Sequence, residues 1–411
     1  MAMLEKGLSR FGRWAAYQGV SAAIHQPRAL RVLAAAIQKS PKTRSLLRTV
    51  ASREDVVGVF ERPLAFSNSA QRPNLVAGDF AIGMESGPRH ACERALLMKK
   101  LPSPPEFAAR ASVESRRLVH DLRAGPVRRF DLVTDYMTPI VWQAMGGAFG
   151  AALPPLPSGD PVFLHLRNIG AHLIVGGVAT DAVQQRARES AAQLTAWVHA
   201  RLPALQAVWG LPGAAHREEV ARNIVGMLWV GHPATVQSGA LLMQELLVRP
   251  KVLRDLADRV GQCADPWNDV PLRALFAQHV LELLRFRPPF PILRRDVPRD
   301  VRYGTDGASR AAAGAQLTVL TIGALFDPAA QTGAPPQVYD PNRVFVHPTD
   351  RHMMFGGGGR HCIASEQVVE MLVSALIGLL QLPGVKWADP WWRRMRYDGP
   401  SIASARLAFR D

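Results

Sequence analysis

The chain has 411 residues, 48% hydrophobic and 20% charged, with a formal net charge of +15. That length buries one large core or two ordinary ones, and the charge suits an acidic protein, an anionic membrane surface or an anionic substrate. Nucleic acid is not an expected partner, because the arginines are scattered and no DNA- or RNA-binding signature appears. Three widely separated cysteines, Cys92, Cys263 and Cys362, without a CxxC pair, indicate neither a disulfide framework nor a zinc site, and a reducing cytoplasm is the natural location. No apolar run reaches the ~18–20 residues of a transmembrane segment.

The elements are mostly helical, with apolar residues three and four apart and few, short strands. Residues 1–50 are expected as an N-terminal helical extension and 51–411 as the main domain. Within the extension, Lys6 to Ala23 carries Arg10, Phe11, Arg13, Trp14 and Tyr17 and is a candidate for peripheral contact with an acidic membrane as an amphipathic helix. Residues 60–88 are rich in Pro, Gly and Asn, predicting a long irregular segment that serves as a lid or substrate loop. A second break falls at Leu153 to Pro161. Between Arg217 and Val248 the periodicity predicts a central helix about 45 Å long. A helical run covers His279 to Phe286. Beyond Pro288, short runs such as Leu317 to Ile322 alternate with turns, and a last helix is expected from Ile363 to Leu382.

The segment that carries chemistry is Phe355-Gly-Gly-Gly-Gly-Arg360-His361-Cys362-Ile-Ala364. Its glycines let the backbone approach something flat and bulky, and Cys362 stands at the mouth of an apolar helix, whose free N–H groups favour a thiolate. The segment resembles the heme loop of the cytochrome P450 family, matching it at Phe355, Gly358, Arg360, Cys362 and Ala364. The resemblance implies a mainly α fold with a small β region, triangular in outline, binding heme b with Cys362 as the iron ligand. It extends to Glu282-Leu-Leu-Arg285, the family's structural ion pair, and to His90 and Arg94, Arg295 and His352, which with Arg360 would hold the heme propionates.

The resemblance fails at the central helix. Where the family keeps an acid and an alcohol over the iron, this chain has Gly231-His232-Pro233-Ala234-Thr235. Proline removes an N–H, so a kink near Trp229 with a free carbonyl is expected. Two readings follow. Either Thr235 or a water replaces the relay in a reductase-dependent monooxygenase fed by an acidic ferredoxin-type donor, or the oxidant arrives as a peroxide, as in peroxygenases and fatty-acid hydroperoxide isomerases or lyases, with His232 as acid, base or anchor. A heme-binding sensor or carrier without turnover is the third alternative. The substrate implied is a hydrophobic small molecule, an anionic lipid included.

Overall fold

A computed structural model describes residues 10–69, 75–150, 153–304 and 307–410. The helices in chain order are α1 (Arg10–Ile24), α2 (Pro27–Lys39), α3 (Pro41–Leu47), α4 (Arg53–Phe60), α5 (Pro88–Lys100) and α6 (Pro104–Ala124). There follow α7 (Thr138–Met145), α8 (Pro161–Val175), α9 (Asp181–His199), α10 (Leu202–Trp209) and α11 (Arg217–Leu247). The last are α12 (Pro250–Gln262), α13 (Val270–Phe286), α14 (Thr321–Leu325) and α15 (Ser365–Gln381). The strands are short: β1 (Thr49–Val50), β2 (Arg129–Asp131), β3 (Leu293–Asp296), β4 (Val301–Tyr303), β5 (Ser309–Ala311) and β6 (Gln316–Val319). To these are added β7 (Gln331–Thr332), β8 (Val344–Phe345), β9 (Lys386–Trp387), β10 (Arg396–Asp398), β11 (Ser401–Ser404) and β12 (Arg406–Ala408). The central and final helices thus lie where the periodicity placed them.

The chain divides into two compact units, each built from separated segments. The first comprises Met1–Leu97, Ala171–Glu189 and Arg285–Ile363. Its main sheet has the order β1-β6-β3, with β1 parallel to β6 (Thr49 opposite Thr318) and β3 antiparallel to it (Leu293 opposite Val319). The helices expected as an extension over residues 1–50 fall in this first unit. Arg44 on α3 makes a buried ion pair with Asp55 on α4 (3.0 Å) and donates to Ser309 on β5 (3.0 Å), so the N-terminal helices belong to this unit. Removing either partner would strand a buried charge, which is why such a pair fixes an arrangement more than it stabilises it.

The second unit comprises Met98–Gly170, Ser190–Leu284 and Ala364–Asp411, with sheets β2-β12-β9 and β10-β11. Its helices α11 and α15 are apolar on nearly all sides, and Leu228, Met243, Leu246, Val373 and Ile377 are essentially without exposure. A helix with no polar face has to be a core helix. α15 packs along α6, and Gly378 marks the crossing: a Cβ there would strike Ser115 Oγ and Tyr136 Oη. Those two oxygens are 2.7 Å apart, and Tyr136 Oη donates to the Ala375 carbonyl at 2.9 Å.

Gly378→Ala should therefore lower the unfolding free energy by about 1–3 kcal/mol in chemical denaturation, as overpacked sites do. Gly261→Ala on α12, where an added Cβ meets nothing within 4 Å, should be neutral or stabilising by up to about 1 kcal/mol.

Candidate heme-thiolate site

The cysteine loop lies in the first unit, and its shape comes from contacts with other parts of that unit. After the turn Pro348–Phe355 the backbone takes a left-handed conformation at Gly356 (φ 82°) and Gly358 (φ 56°), positions that favour glycine. A Cβ on Gly357 would lie 2.6 Å from the Phe60 ring, and one on Gly358 would lie 2.8 Å from the Phe60 carbonyl oxygen. Two of the four glycines are thus required by the end of α4, a contact with no signal in the sequence, and not by an open plane as the loop alone leads one to expect. Gly359 meets nothing within 4 Å.

Cys362 donates its backbone N–H to the Phe355 carbonyl (2.9 Å), closing the loop, and stands three residues ahead of α15. His361 Nδ1 lies 3.1 Å from the Gly356 carbonyl oxygen. Phe355 sits between His352 and His361, with ring centroids 6.4 Å from each.

Around this loop the first unit gathers cations. Arg94 on α5 donates to the His361 carbonyl (2.7 Å), and the nearby Cys362 sulfur supports its charge against the lowering effect of burial. Arg360 donates to the carbonyls of Ala81 (3.1 Å) and Met84 (2.5 Å) and to Ser86 Oγ (2.8 Å), tying the loop to the irregular 75–88 segment. His90 is pushed down to about 4, by burial first and then by Arg360 and Arg94. Arg295 on β3 is only 6% exposed, and burial together with Arg360 pushes its guanidinium down to about 10. Arg295 donates to its neighbour's carbonyl, Arg294, and has no carboxylate partner among the described residues. Of the eight residues expected to bind a cofactor, the structure groups His90, Arg94, Arg295, Arg360 and Cys362, while His352 and Phe355 meet each other within the loop segment and Gly358 rests on Phe60.

Glu282 and Arg285 stand one turn apart on α13, and both are buried, which removes a solvated-face reading. Arg285 is 1% exposed, donates to the Leu325 carbonyl (3.2 Å) and stacks over Phe326 (4.3 Å to the centroid).

In the second unit, α11 runs through Pro233 without interruption. Gly170 on α8 lies against the Pro233 ring and the Trp229 carbonyl, and a Cβ there would meet both. His232 is 2% exposed, stacked on Phe163 (5.3 Å, 15°) and edge-on to Trp142 (6.0 Å), with Nε2 3.2 Å from the Thr138 carbonyl oxygen. Its ring is engaged in packing, and burial pushes its pKa down to about 4, which does not suit the acid, base or anchor role expected from sequence. Thr235 Oγ1 donates to the Gly231 carbonyl (2.9 Å), and Ser238 Oγ to that of Ala234 (2.8 Å).

No protein-family model matches the chain. A stretch of 174 residues is 26% identical to cytochrome P450 4A12B of Mus musculus, covering 40% of this chain and 33% of that relative. The match therefore spans about a third of the curated relative's length. Among solved structures, a mutant of P450 EryK in complex with erythromycin B superposes with a TM-score of 0.73 at 18% identity, covering 94% of this chain and 97% of that one. P450BioI, in complex with a hexadec-9Z-enoic acid ligated acyl carrier protein, does so with a TM-score of 0.68 at 18% identity, covering 88% and 91%. The chain has the cytochrome P450 fold.

The P450 fold implies a heme, and the residues of the first unit fit one. A buried arginine without a carboxylate, a histidine held neutral by burial and then by two guanidinium groups, and a cysteine beside them form a donor set that matches a dianionic porphyrin with a thiolate-bound iron. Against the pattern that the family keeps on this helix, the missing acid on α11 is equally plain: residues 227–238 carry no carboxylate, and His232, Thr235 and Ser238 all face carbonyls.

His232 also leaves a measurable pH signature. Its folded pKa lies below the unfolded value of about 6.5, so the unfolded chain takes up the proton first and native stability falls as pH drops from 6.5 toward 4. His232→Gln keeps an N–H for the Thr138 carbonyl but cannot titrate. Urea unfolding across this window should lose up to about 3 kcal/mol less stability in the variant than in the parent.

Proposed function

We propose that this protein is a heme-thiolate oxidoreductase acting on a hydrophobic small molecule, with heme b held by Cys362. The observation that carries this reading is the convergence of Cys362 with His90, Arg94, Arg295 and Arg360 around one glycine-shaped loop. Arg295 supplies positive charge and the neutral His90 hydrogen-bond capacity for propionates, Arg94 holds the His361 carbonyl, and Arg360 clamps the loop to residues 81–86. When bound, a thiolate-ligated heme supplies oxidising power, with the sulfur donating electron density that favours O–O cleavage. The structural relatives captured with erythromycin B and with a fatty acyl group support the hydrophobic substrate class.

A specific observation favours peroxide over dioxygen as the oxidant. Dioxygen needs electrons and positioned protons, whereas a peroxide arrives already reduced. The side chains of α11 that could relay protons donate to carbonyls of their own unit, and Pro233 and Ala234 stand where the family keeps its acid and alcohol. The net charge of +15 leaves an acidic ferredoxin-type donor as the competing supply of electrons.

Purified protein should bind one heme and give the red-shifted ferrous carbon monoxide band of thiolate ligation. Cys362→Ala should abolish that band, while Cys92→Ala and Cys263→Ala keep it. Persistence of the band without Cys362 overturns the assignment.

Reductant-driven turnover with a surrogate ferredoxin pair should leak most of its electrons to hydrogen peroxide, since a missing general acid costs about 10²–10⁴-fold in the assisted step. Supplied peroxide should support faster product formation. Pro233→Glu combined with Ala234→Thr should raise the fraction of reductant recovered as product; tight coupling in the parent protein would remove the peroxide reading.

A further inference from the structure

The second unit carries a surface feature that the heme site does not use. Between β9 and β10 the chain reads Pro390-Trp391-Trp392-Arg393-Arg394-Met395-Arg396-Tyr397. Trp391 and Trp392 open the single turn Trp391–Arg393 and are 74% and 64% exposed, with their rings edge to face at 5.8 Å. A tryptophan side chain is among the largest apolar surfaces a protein owns, and two neighbours left in water mark an interaction site.

The charge around them has one sign. Arg393 and Arg396 are exposed and have no carboxylate partner among the described residues, and Arg394 leans over the Trp387 ring at 5.9 Å. Lys386 is exposed at the start of β9. The two nearby acids are already engaged: Asp389 accepts from Arg406 at 2.7 and 3.0 Å, and Asp398 lies 3.7 Å from Arg167. What remains is a projecting aromatic pair set among uncompensated cations.

We propose that this segment docks the protein on an anionic lipid surface, with Trp391 and Trp392 inserted at headgroup depth and Arg393 and Arg396 on lipid phosphates. Indole suits that depth because its ring is apolar while its N–H still finds an acceptor, and a guanidinium meets a phosphate with two parallel hydrogen bonds. An acidic protein partner would need a matched pocket for each ring. Two perpendicular rings on a single projecting turn need no such pocket to enter the loosely ordered headgroup layer. The assignment does not depend on the heme chemistry.

The test is sedimentation of the full-length holoprotein with phosphatidylcholine vesicles, plain or containing phosphatidylglycerol. The parent protein should bind the anionic vesicles, and binding should weaken as salt brings the Debye length below about 10 Å. Trp391→Ala with Trp392→Ala should reduce binding at least tenfold. Arg393→Gln with Arg396→Gln should reduce it by about fivefold per residue on anionic vesicles only. All variants should keep the parent far-UV circular dichroism spectrum, which shows that the fold is intact whatever the outcome of the heme assignment. If the Trp variant sediments like the parent, the contact lies elsewhere, for example on α1, and the proposal fails. It fails equally if the parent stays in the supernatant, or if the Trp pair instead governs capture of an acidic protein without any vesicle binding.

Discussion

The seating of the cysteine loop on the end of α4 is the constraint from which the site follows. Gly357 rests on the Phe60 ring and Gly358 on the Phe60 carbonyl, at separations that no side chain could tolerate. Because Phe60 is itself buried, the loop cannot retreat to make room. The closure from the Cys362 amide to the Phe355 carbonyl and the anchoring of Arg360 on residues 81–86 then fix the remaining freedom. A ligand position held this way is set by packing before any ligand arrives, which is what precise metal ligation requires.

The electrostatics of the same region run against ordinary protein economy. Buried cations are normally paired, yet beyond the effect of burial Arg360 works against Arg295, and Arg360 and Arg94 work against His90, with Glu85 opposing on Arg360 and Cys362 on Arg94. Mutual repulsion at such a place persists when an anion is expected there. The α11 region is the converse case, where His232, Thr235 and Ser238 are each already engaged with a backbone carbonyl.

The sequence was legible where a short window carried the information. Cys362 and its neighbours resemble the P450 heme loop, in keeping with the P450 fold, and the apolar periodicity from Arg217 placed α11 to within a residue of its observed end at Leu247. It was least legible where a tertiary partner decides. Nothing near Gly357 names Phe60, nearly 300 positions earlier in the chain. Nothing in the sequence around Pro233 shows that Gly170 lies against the proline and the Trp229 carbonyl. His232 sits in a window that invites a catalytic role, and only the positions of Phe163, Trp142 and Thr138 reveal which side of the helix it occupies. Nor does the sequence show that Arg44, within the expected extension, finds its partners at Asp55 and Ser309.

The parallel pairing of Thr49 with Thr318 has a consequence for how the chain is made. A ribosome releases β1 early, with its hydrogen-bonding edge open, and the strand that covers it emerges only after most of the polypeptide has been synthesised. Contacts of such long sequence separation form slowly, and exposed strand edges meanwhile invite association with other chains. The unit that contains Cys362 therefore cannot be completed domain by domain from its N-terminus. Its cofactor cradle, assembled from α5, β3 and the cysteine loop, comes into existence as a late event of biosynthesis.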